Sequence, residues 1–205
     1  RHLNTLVLAP TRELAVQISQ NLEAFSYFTP ISSIAIYGGG DGHSFENEKR
    51  ALSQGVDIVI CTPGRMLSHL ASGYVRLKGL KHLILDEADR MLDMGFYDDI
   101  MKIITYLPTE RQTLLFSATM PPKMRQMGLT ILKNPEQVNI SISKPPEKIV
   151  QKAYVVYEQQ KIPLVKSILK DVQYNKIVIF CSRKENVKKK KKNLKSDRIK
   201  NEEIH

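Results

Sequence analysis

Short runs of apolar residues recur along the first 142 residues, separated by longer segments with helical spacing of apolar positions. A continuous apolar run of this kind is typical of a strand that is buried on both faces of a parallel sheet. The runs predict strands at residues 5–9, 33–37, 56–61, 83–85 and 113–116, and a shorter strand at 138–142.

The segments between these strands carry apolar residues three or four positions apart, which is the spacing of one face of a helix. After the first strand, Thr11 is placed to cap a helix whose apolar face holds Leu14, Ile18, Leu22 and Phe25. Further helices are predicted at 44–54, at 65–71, twice within 88–107, and at 122–132. The alternation of strand and helix predicts an α/β fold, a parallel sheet with helices on both faces.

A charged segment with two prolines, residues 143–148, interrupts this alternation and is the best candidate for a linker. Beyond it, the pattern predicts a strand at 149–157, a helix at 161–170 and a strand at 176–181. The sequence therefore predicts a first domain at 1–142, a linker at 143–148, and the start of a second domain at 149–205.

Charge is distributed unevenly along the chain. The 31 Lys and Arg exceed the 21 Asp and Glu by ten, and residues 1–143 hold 14 of each kind, so the whole excess lies in 144–205. This asymmetry indicates a polyanion partner or a solvated basic face in the second part.

No apolar run reaches the ~18 residues that span a bilayer, and no secretory signal is evident. With Cys61 and Cys181 expected as reduced thiols, we expect a cytoplasmic protein without a membrane partner.

Acidic residues follow the apolar run at 83–85, where Asp86, Glu87 and Asp89 stand close together. Open α/β sheets bind ligands at the carboxyl ends of their strands. Two adjacent carboxylates there could hold a hydrated Mg²⁺ beside a nucleotide and act on an attacking water. Alternatively, these acids only cap the following helix, since acidic residues favour helix N-termini.

Two polar turns join a strand to a helix, and each combines a hydroxyl, free backbone amides and an arginine. They are formed by Pro10, Thr11 and Arg12, and by Thr62, Pro63, Gly64 and Arg65. Amides and cations at helix N-termini bind phosphate. With the Gly38 and Gly39 pair between them in sequence, the turns could follow the phosphates of one nucleic-acid strand without reading bases. The alternative is that each is an ordinary capped turn.

The residues Asp86-Glu87-Ala88-Asp89 form the tetrapeptide that names the DEAD-box helicases, and the chain resembles that family. Four more stretches match the family in order and at suitable spacing: Pro10-Thr11-Arg12-Glu13-Leu14-Ala15, Gly38-Gly39, Thr62-Pro63-Gly64-Arg65 and Ser117-Ala118-Thr119. The resemblance is strongest from Leu6 to Leu132 and fades after Arg183. The wording from Asp86 to Phe96 is most similar to the bacterial RhlE-like branch.

The resemblance implies two RecA-like domains, ATP and Mg²⁺ as cofactors, and RNA as partner. Asp86 would hold Mg²⁺ through water, Glu87 would activate the attacking water, and Asp89 would connect to Ser117 and Thr119. Contacts to the RNA backbone would come from Pro10, Thr11, Arg12, Gly38, Gly39, Thr62, Pro63, Gly64 and Arg65. Phe180, in the looser match 178–183, would shape the RNA side or pack in the core. Five lysines at 188–192 indicate a solvated or disordered basic stretch.

The sequence contains no G-x-x-x-x-G-K-[ST] phosphate loop. By the resemblance, this loop would precede Arg1 and the family's later arginine motifs would follow His205, so we expect an internal piece of a longer protein. The 205 residues alone are expected to hydrolyse no ATP and to fold poorly. The intact protein is expected to be an ATP-dependent RNA helicase. The alternatives are a non-catalytic RNA-binding module and a DNA-directed helicase.

Overall fold

The computed structural model describes residues 2–39, 42–140, 149–171, 176–196 and 201–202. The chain divides into two compact units, Arg1–Val138 and Asn139–His205. The expected linker at 143–148 lies outside the described residues. The domain boundaries therefore stay a prediction, and each unit is treated by itself.

The first unit is built on a five-stranded sheet in which every neighbouring pair of strands is parallel. Its strands are β1 (Thr5–Leu8), β2 (Ser33–Ile36), β3 (Ile58–Cys61), β4 (His82–Leu85) and β5 (Gln112–Leu115). The order across the sheet is β2-β3-β1-β4-β5. The first strand in sequence is therefore the central one, and three of its four residues are buried.

Six helices accompany the sheet: α1 (Arg12–Ser26), α2 (Gly42–Gln54), α3 (Pro63–Ala71), α4 (Ala88–Asp93), α5 (Tyr97–Tyr106) and α6 (Pro122–Ile131). Alternate side chains of β1 enter two separate cores, because successive residues of a strand face opposite ways. Leu6 and Leu8 belong to the larger core, whereas Val7 packs in a smaller core with Ala15 of α1. The predicted α/β fold with helices on both faces is confirmed.

The apolar face predicted for α1 is correct over three of its four residues. Leu14, Ile18 and Leu22 pack against the smaller core, but Phe25 is 81% exposed. From Leu14 to Phe25 a helix rises about 16 Å at 1.5 Å per residue. A four-residue strand is shorter, at roughly 13 Å. The last turn of α1 therefore extends past the strands that cover the rest of its face.

The strand predicted at 138–142 is absent from the part that the structure describes. Val138 and Ile140 are exposed and have no strand assignment, while residues 141–142 lie outside the described ranges. An apolar alternation forms a strand only where a neighbour can supply the ladder of hydrogen bonds. None of the five described strands pairs with this segment.

The described residues of the second unit form a 3₁₀ turn (Glu158–Gln160) and two helices, α7 (Lys161–Asp171) and α8 (Lys184–Ser196). The helix predicted at 161–170 is confirmed. The strands predicted at 149–157 and 176–181 are wrong, since both segments are irregular and largely exposed. Their apolar residues fit a strand, but no described strand lies alongside to pair with them. Assignment of this unit to a second RecA-like domain stays a prediction.

The described residues of the first unit thus form a sheet with a buried central strand. Our expectation that the 205 residues fold poorly concerns their behaviour in solution and stays a prediction. Among the described residues, no helix combines the length and apolarity needed to cross a membrane.

Candidate functional site

Five loops that carry the predicted site residues leave the sheet at one edge, because all five strands are parallel. Across the sheet, Gly38 and Gly39 follow β2, the turn of Thr62, Pro63, Gly64 and Arg65 follows β3, and the turn of Pro10, Thr11 and Arg12 follows β1. The acidic loop follows β4, and Ser117 and Thr119 follow β5. We call the first three loops the phosphate side and the last two the carboxylate side.

Backbone hydrogen bonds connect each loop to the neighbouring strand. The N–H of Thr62 donates to the carbonyl of Ile36 at 3.1 Å, and the N–H of Ala9 donates to Cys61 at 2.9 Å. On the carboxylate side, the N–H of Asp86 donates to Leu8 at 3.0 Å. The order of the strands therefore fixes the order of the loops along the edge.

Glu87 has a left-handed backbone conformation, with φ 47° and ψ 49°. A residue other than glycine adopts this conformation at a cost of about 1–3 kcal/mol, and such residues concentrate at functional sites. The N–H of Glu87 donates to Oδ1 of Asp86 at 2.9 Å, which contributes to holding the turn. The Glu87 carboxylate lies 3.3 Å from Arg90, but both side chains are about half exposed, so this ion pair is weak.

Asp86 presents one carboxylate oxygen, Oδ2, that forms no hydrogen bond with the described residues. The structure shows no group of three or more His, Cys, Asp or Glu that could enclose a metal, within the same described residues. Mg²⁺ commonly keeps most of its waters and contacts the protein through one or two carboxylates. The chemistry of Asp86 therefore fits a magnesium ion held through water.

Asp89 connects the ends of β4 and β5. Its Oδ2 accepts the N–H of Thr119 at 2.9 Å and the Thr119 hydroxyl at 2.7 Å, and the Ser117 hydroxyl donates to the carbonyl of Thr119 at 2.6 Å. Partial burial raises the pKa of Asp89, but hydrogen bonds from Thr119 and from the backbone of Arg90 outweigh it, so the pKa lies below its ordinary value. The contact expected between Asp89 and Thr119 is present.

The turn after β1 leaves its arginine exposed. Thr11 caps α1, because its hydroxyl accepts the N–H of Leu14 at 3.3 Å. The guanidinium of Arg12 lies 4.8 Å from the ring centre of Tyr37. A cation at a helix N-terminus opposes the helix dipole. An anion in front of α1 would relieve this unfavourable placement of Arg12.

The turn after β3 differs from the turn after β1 because its threonine does not cap the following helix through its side chain. Thr62 precedes α3 without a side-chain capping bond, and Pro63 is buried at the start of the helix. Gly64 is exposed, and a Cβ added to it would come no closer than 3.9 Å to a neighbouring atom. Gly39, after β2, has φ +89°, which favours glycine. Exposed backbone thus lies on the phosphate side, together with the Thr62 hydroxyl, which forms no hydrogen bond to the residues that the structure describes.

Arg65, by contrast, lies within a buried cluster that the sequence analysis did not identify. Its Nε donates to Oε2 of Glu48 at 2.7 Å, and the same oxygen lies 2.8 Å from Nε2 of His69. His69 also bonds the hydroxyl of Tyr74 through Nδ1 and stacks on Phe45. We call these five residues the Glu48 cluster. The signal for it was a carboxylate at Glu48 on the apolar face of α2, since Phe45 and Leu52 share that face.

Phe180 belongs to the second unit and is 90% exposed in an irregular segment. The alternative in which Phe180 packs in a core is therefore wrong. Its expected role toward RNA stays a prediction.

Residues 1–127 match the family model for the DEAD/DEAH box helicases. This match spans more than half of the chain. The chain belongs to the DEAD/DEAH box helicase family. A crystal structure of a hypothetical ATP-dependent RNA helicase from Sulfolobus tokodaii is similar, with a TM-score of 0.60 and 33% identity, over 65% of this chain and 39% of that one. The family fold is thus the RecA-like sheet expected from the motifs.

Curated members of the family match most of the chain. The ATP-dependent RNA helicase DbpA of Bacillus subtilis (strain 168) is 38% identical over 89% of this chain and 38% of its own length. DeaD of Buchnera aphidicola subsp. Schizaphis graminum is 42% identical over 87% of this chain and 30% of its own length. The chain thus spans well under half of these relatives. Neither of them carries the RhlE name, so that branch stays a prediction.

Proposed function

We propose that the intact protein is an ATP-dependent RNA helicase, which parts short RNA duplexes and hydrolyses ATP. The observation that carries this proposal is the single sheet edge on which the carboxylate side adjoins the phosphate side. The two relatives described above, whose matches cover 89% and 87% of this chain, are named ATP-dependent RNA helicases. In the intact enzyme, two RecA-like domains close over ATP and RNA, closure bends one strand and parts the duplex, and hydrolysis resets the enzyme. We propose the cytoplasm as its location.

On the carboxylate side, Asp86 would hold Mg²⁺ through water. Glu87 would accept a proton from the water that attacks the terminal phosphate of ATP, as the bond from that phosphate to ADP breaks. Magnesium, when bound, neutralises phosphate charge and orients the nucleotide. The left-handed backbone of Glu87 supports this role, because strained conformations of this kind concentrate at functional sites. Asp89 keeps Ser117 and Thr119 against the same site through the hydrogen bonds described above.

On the phosphate side, the backbone of one RNA strand runs along the three loops after β2, β3 and β1. Gly39 and Gly64 offer exposed backbone, Thr62 offers a hydroxyl, and Arg12 offers an exposed cation. Contacts to phosphate and sugar position a strand without reading its sequence. Pro10, Thr11, Gly38 and Pro63 complete these loops. For the second unit, treated by itself, we propose that Phe180 contacts RNA.

The test is RNA-stimulated ATP hydrolysis by the full-length protein, measured with single-stranded RNA, single-stranded DNA of the same sequence, and no nucleic acid. The proposal predicts that RNA stimulates turnover and that DNA does so far less. Equal stimulation by DNA would favour the DNA-directed alternative. Tight RNA binding without any hydrolysis would favour the non-catalytic RNA-binding module.

A further inference from the structure

The Glu48 cluster brings together two helices that lead from two loops of the phosphate side. Glu48 belongs to α2, which begins soon after Gly38 and Gly39, whereas Arg65 and His69 belong to α3, which begins at the turn after β3. Glu48 is 6% exposed and His69 is fully buried. A buried carboxylate is costly unless it is paired and hydrogen-bonded. Arg65 and His69 of α3 supply this pairing, because Nε of Arg65 and Nε2 of His69 both contact Oε2 of Glu48.

The remaining partners fix the protonation of the cluster. The Ser44 hydroxyl donates to Oε1 of Glu48 at 3.3 Å. Because a carboxylate only accepts, His69 must donate through Nε2, which leaves Nδ1 to accept from the Tyr74 hydroxyl. Burial and the nearby charges of Glu46 and Glu48 raise the pKa of Tyr74, so its hydroxyl keeps the proton that it donates. The chain of bonds from Tyr74 to Arg65 is therefore continuous.

Arg65 is consequently held in place and is not free to meet a ligand. Its side chain is only 16% exposed, and its guanidinium lies 4.6 Å from the ring centre of Phe45. One of its nitrogens, Nη2, is buried and has no hydrogen-bond partner among the described residues. Arg12, on the neighbouring turn, is exposed. The two arginines of the phosphate side thus occupy opposite environments.

We propose that Glu48 is a positioning residue for RNA binding. It holds α3 against α2 through Arg65 and His69, and so fixes the turn of Thr62, Pro63 and Gly64 relative to the loop of Gly38 and Gly39. Arg65 then orients this turn and does not itself bind phosphate. This inference rests on the proposed function, because it assumes that the phosphate side binds RNA.

Replacing Glu48 by alanine distinguishes the two possible roles of Arg65, because they predict opposite changes in RNA affinity. If Arg65 binds phosphate directly, Glu48→Ala releases it and removes a negative charge near the RNA, so binding tightens and its salt dependence steepens. If Glu48 positions the turn, the same variant weakens binding. In metal sites, removing a residue that orients the ligands lowers metal affinity by about tenfold or more. We expect RNA affinity to fall by about tenfold in the Glu48→Ala variant.

The experiment measures the affinity of the full-length protein for fluorescent oligouridylate by anisotropy, at several salt concentrations. Glu46→Ala is the matched control, since it removes the same charge from an exposed position of α2. Glu48→Gln should restore binding, because its amide oxygen can accept from Arg65 and His69 while its amide group donates to Ser44. Thermal unfolding of each variant shows the folded fraction at the assay temperature.

The proposal expects Glu48→Ala to bind about tenfold more weakly, with Glu48→Gln and Glu46→Ala close to the wild type. If Glu48→Ala does not fold, Tyr74→Phe takes its place, since it removes only the terminal hydroxyl of the chain of bonds and should weaken binding by a smaller factor. A folded Glu48→Ala or Tyr74→Phe variant with unchanged or tighter binding overturns the proposal. Failure of the wild-type protein to bind oligouridylate would overturn the proposed function itself.

Discussion

The carboxylate of Asp89 accepts two hydrogen bonds from Thr119, one from the backbone N–H at 2.9 Å and one from the hydroxyl at 2.7 Å. The two residues are 30 positions apart and follow adjacent strands, β4 and β5. This pair therefore joins the two loops of the carboxylate side. It also keeps the acidic loop, which carries Asp86 and Glu87, in register with the end of β5.

Replacing Thr119 by valine should raise the pKa of Asp89 and destabilise the first unit. The variant keeps the shape of the side chain but removes one donor to a partly exposed carboxylate, for which we expect a loss of about 1 kcal/mol. Because the folded-state pKa of Asp89 is lowered, this stabilisation is present at neutral pH and disappears as the pH falls through that pKa.

NMR titration of the Asp89 carboxyl carbon and urea unfolding at pH 7 measure both effects. Thr119→Ser is the control, since it keeps the hydroxyl, and should resemble the wild type. A Thr119→Val variant with an unchanged Asp89 pKa would show that the backbone bond alone sets the state of this carboxylate.

The exposed Arg12 should contact RNA phosphate. Arg12→Ala should weaken binding of the full-length protein to single-stranded RNA. It should also make the plot of log affinity against log salt concentration less steep by about 0.7, the value for one phosphate contact in a single strand. Arg65→Ala should weaken binding through the displaced turn. Both losses should be about equal for oligomers of U, A and C, because backbone contacts ignore sequence.

Fluorescence anisotropy over a salt series measures these slopes. We expect a shallower salt dependence for Arg12→Ala and a nearly unchanged one for Arg65→Ala. A loss confined to one base composition would mean that the arginine concerned reads bases.

Burial of His69 should make the stability of the first unit depend on pH. Burial lowers the pKa of His69 more than its hydrogen bond to Glu48 raises it, and the charge of Arg65 lowers it further. The unfolded chain then binds more protons than the folded one near the ordinary histidine pKa of about 6.5. The free energy of unfolding should therefore fall as the pH drops through this value.

Urea unfolding of the full-length protein between pH 5 and pH 8 tests this dependence, with circular dichroism as the signal. His69→Gln should flatten the profile in this window, whereas the exposed His43→Gln should not. A profile that His69→Gln leaves as steep as the wild type would assign the pH dependence to other groups.

Much of the fold of the first unit could be predicted from the sequence, because its strands have a clear apolar pattern. The runs around Leu6 and Leu83 are apolar at consecutive positions, as expected for strands buried on both faces, and both strands lie near the middle of the sheet. The partnership of Asp89 with Thr119 was also predicted, because the resemblance to the DEAD-box helicases implied it.

What escaped prediction depends on contacts between distant elements. Glu48 and His69 are 21 residues apart on different helices, and only the packing of those helices shows that the two side chains are hydrogen-bonded. The apolar residues Val155 and Val178 fit a strand pattern, but a pattern cannot show whether a partner strand is present. The conformation of Glu87 was likewise hidden, since no residue type there signals a left-handed backbone.

Activation of water by Glu87 for ATP hydrolysis is tested most directly by the Glu87→Gln variant. The amide keeps the size of the side chain but cannot accept the proton. In the full-length protein, RNA-stimulated hydrolysis should fall by about 10²–10⁴-fold while ATP and RNA still bind. Asp93→Asn, which neutralises an exposed acid at the end of α4, is the matched control and should retain turnover. Near-normal turnover by Glu87→Gln, with binding intact, would contradict the account.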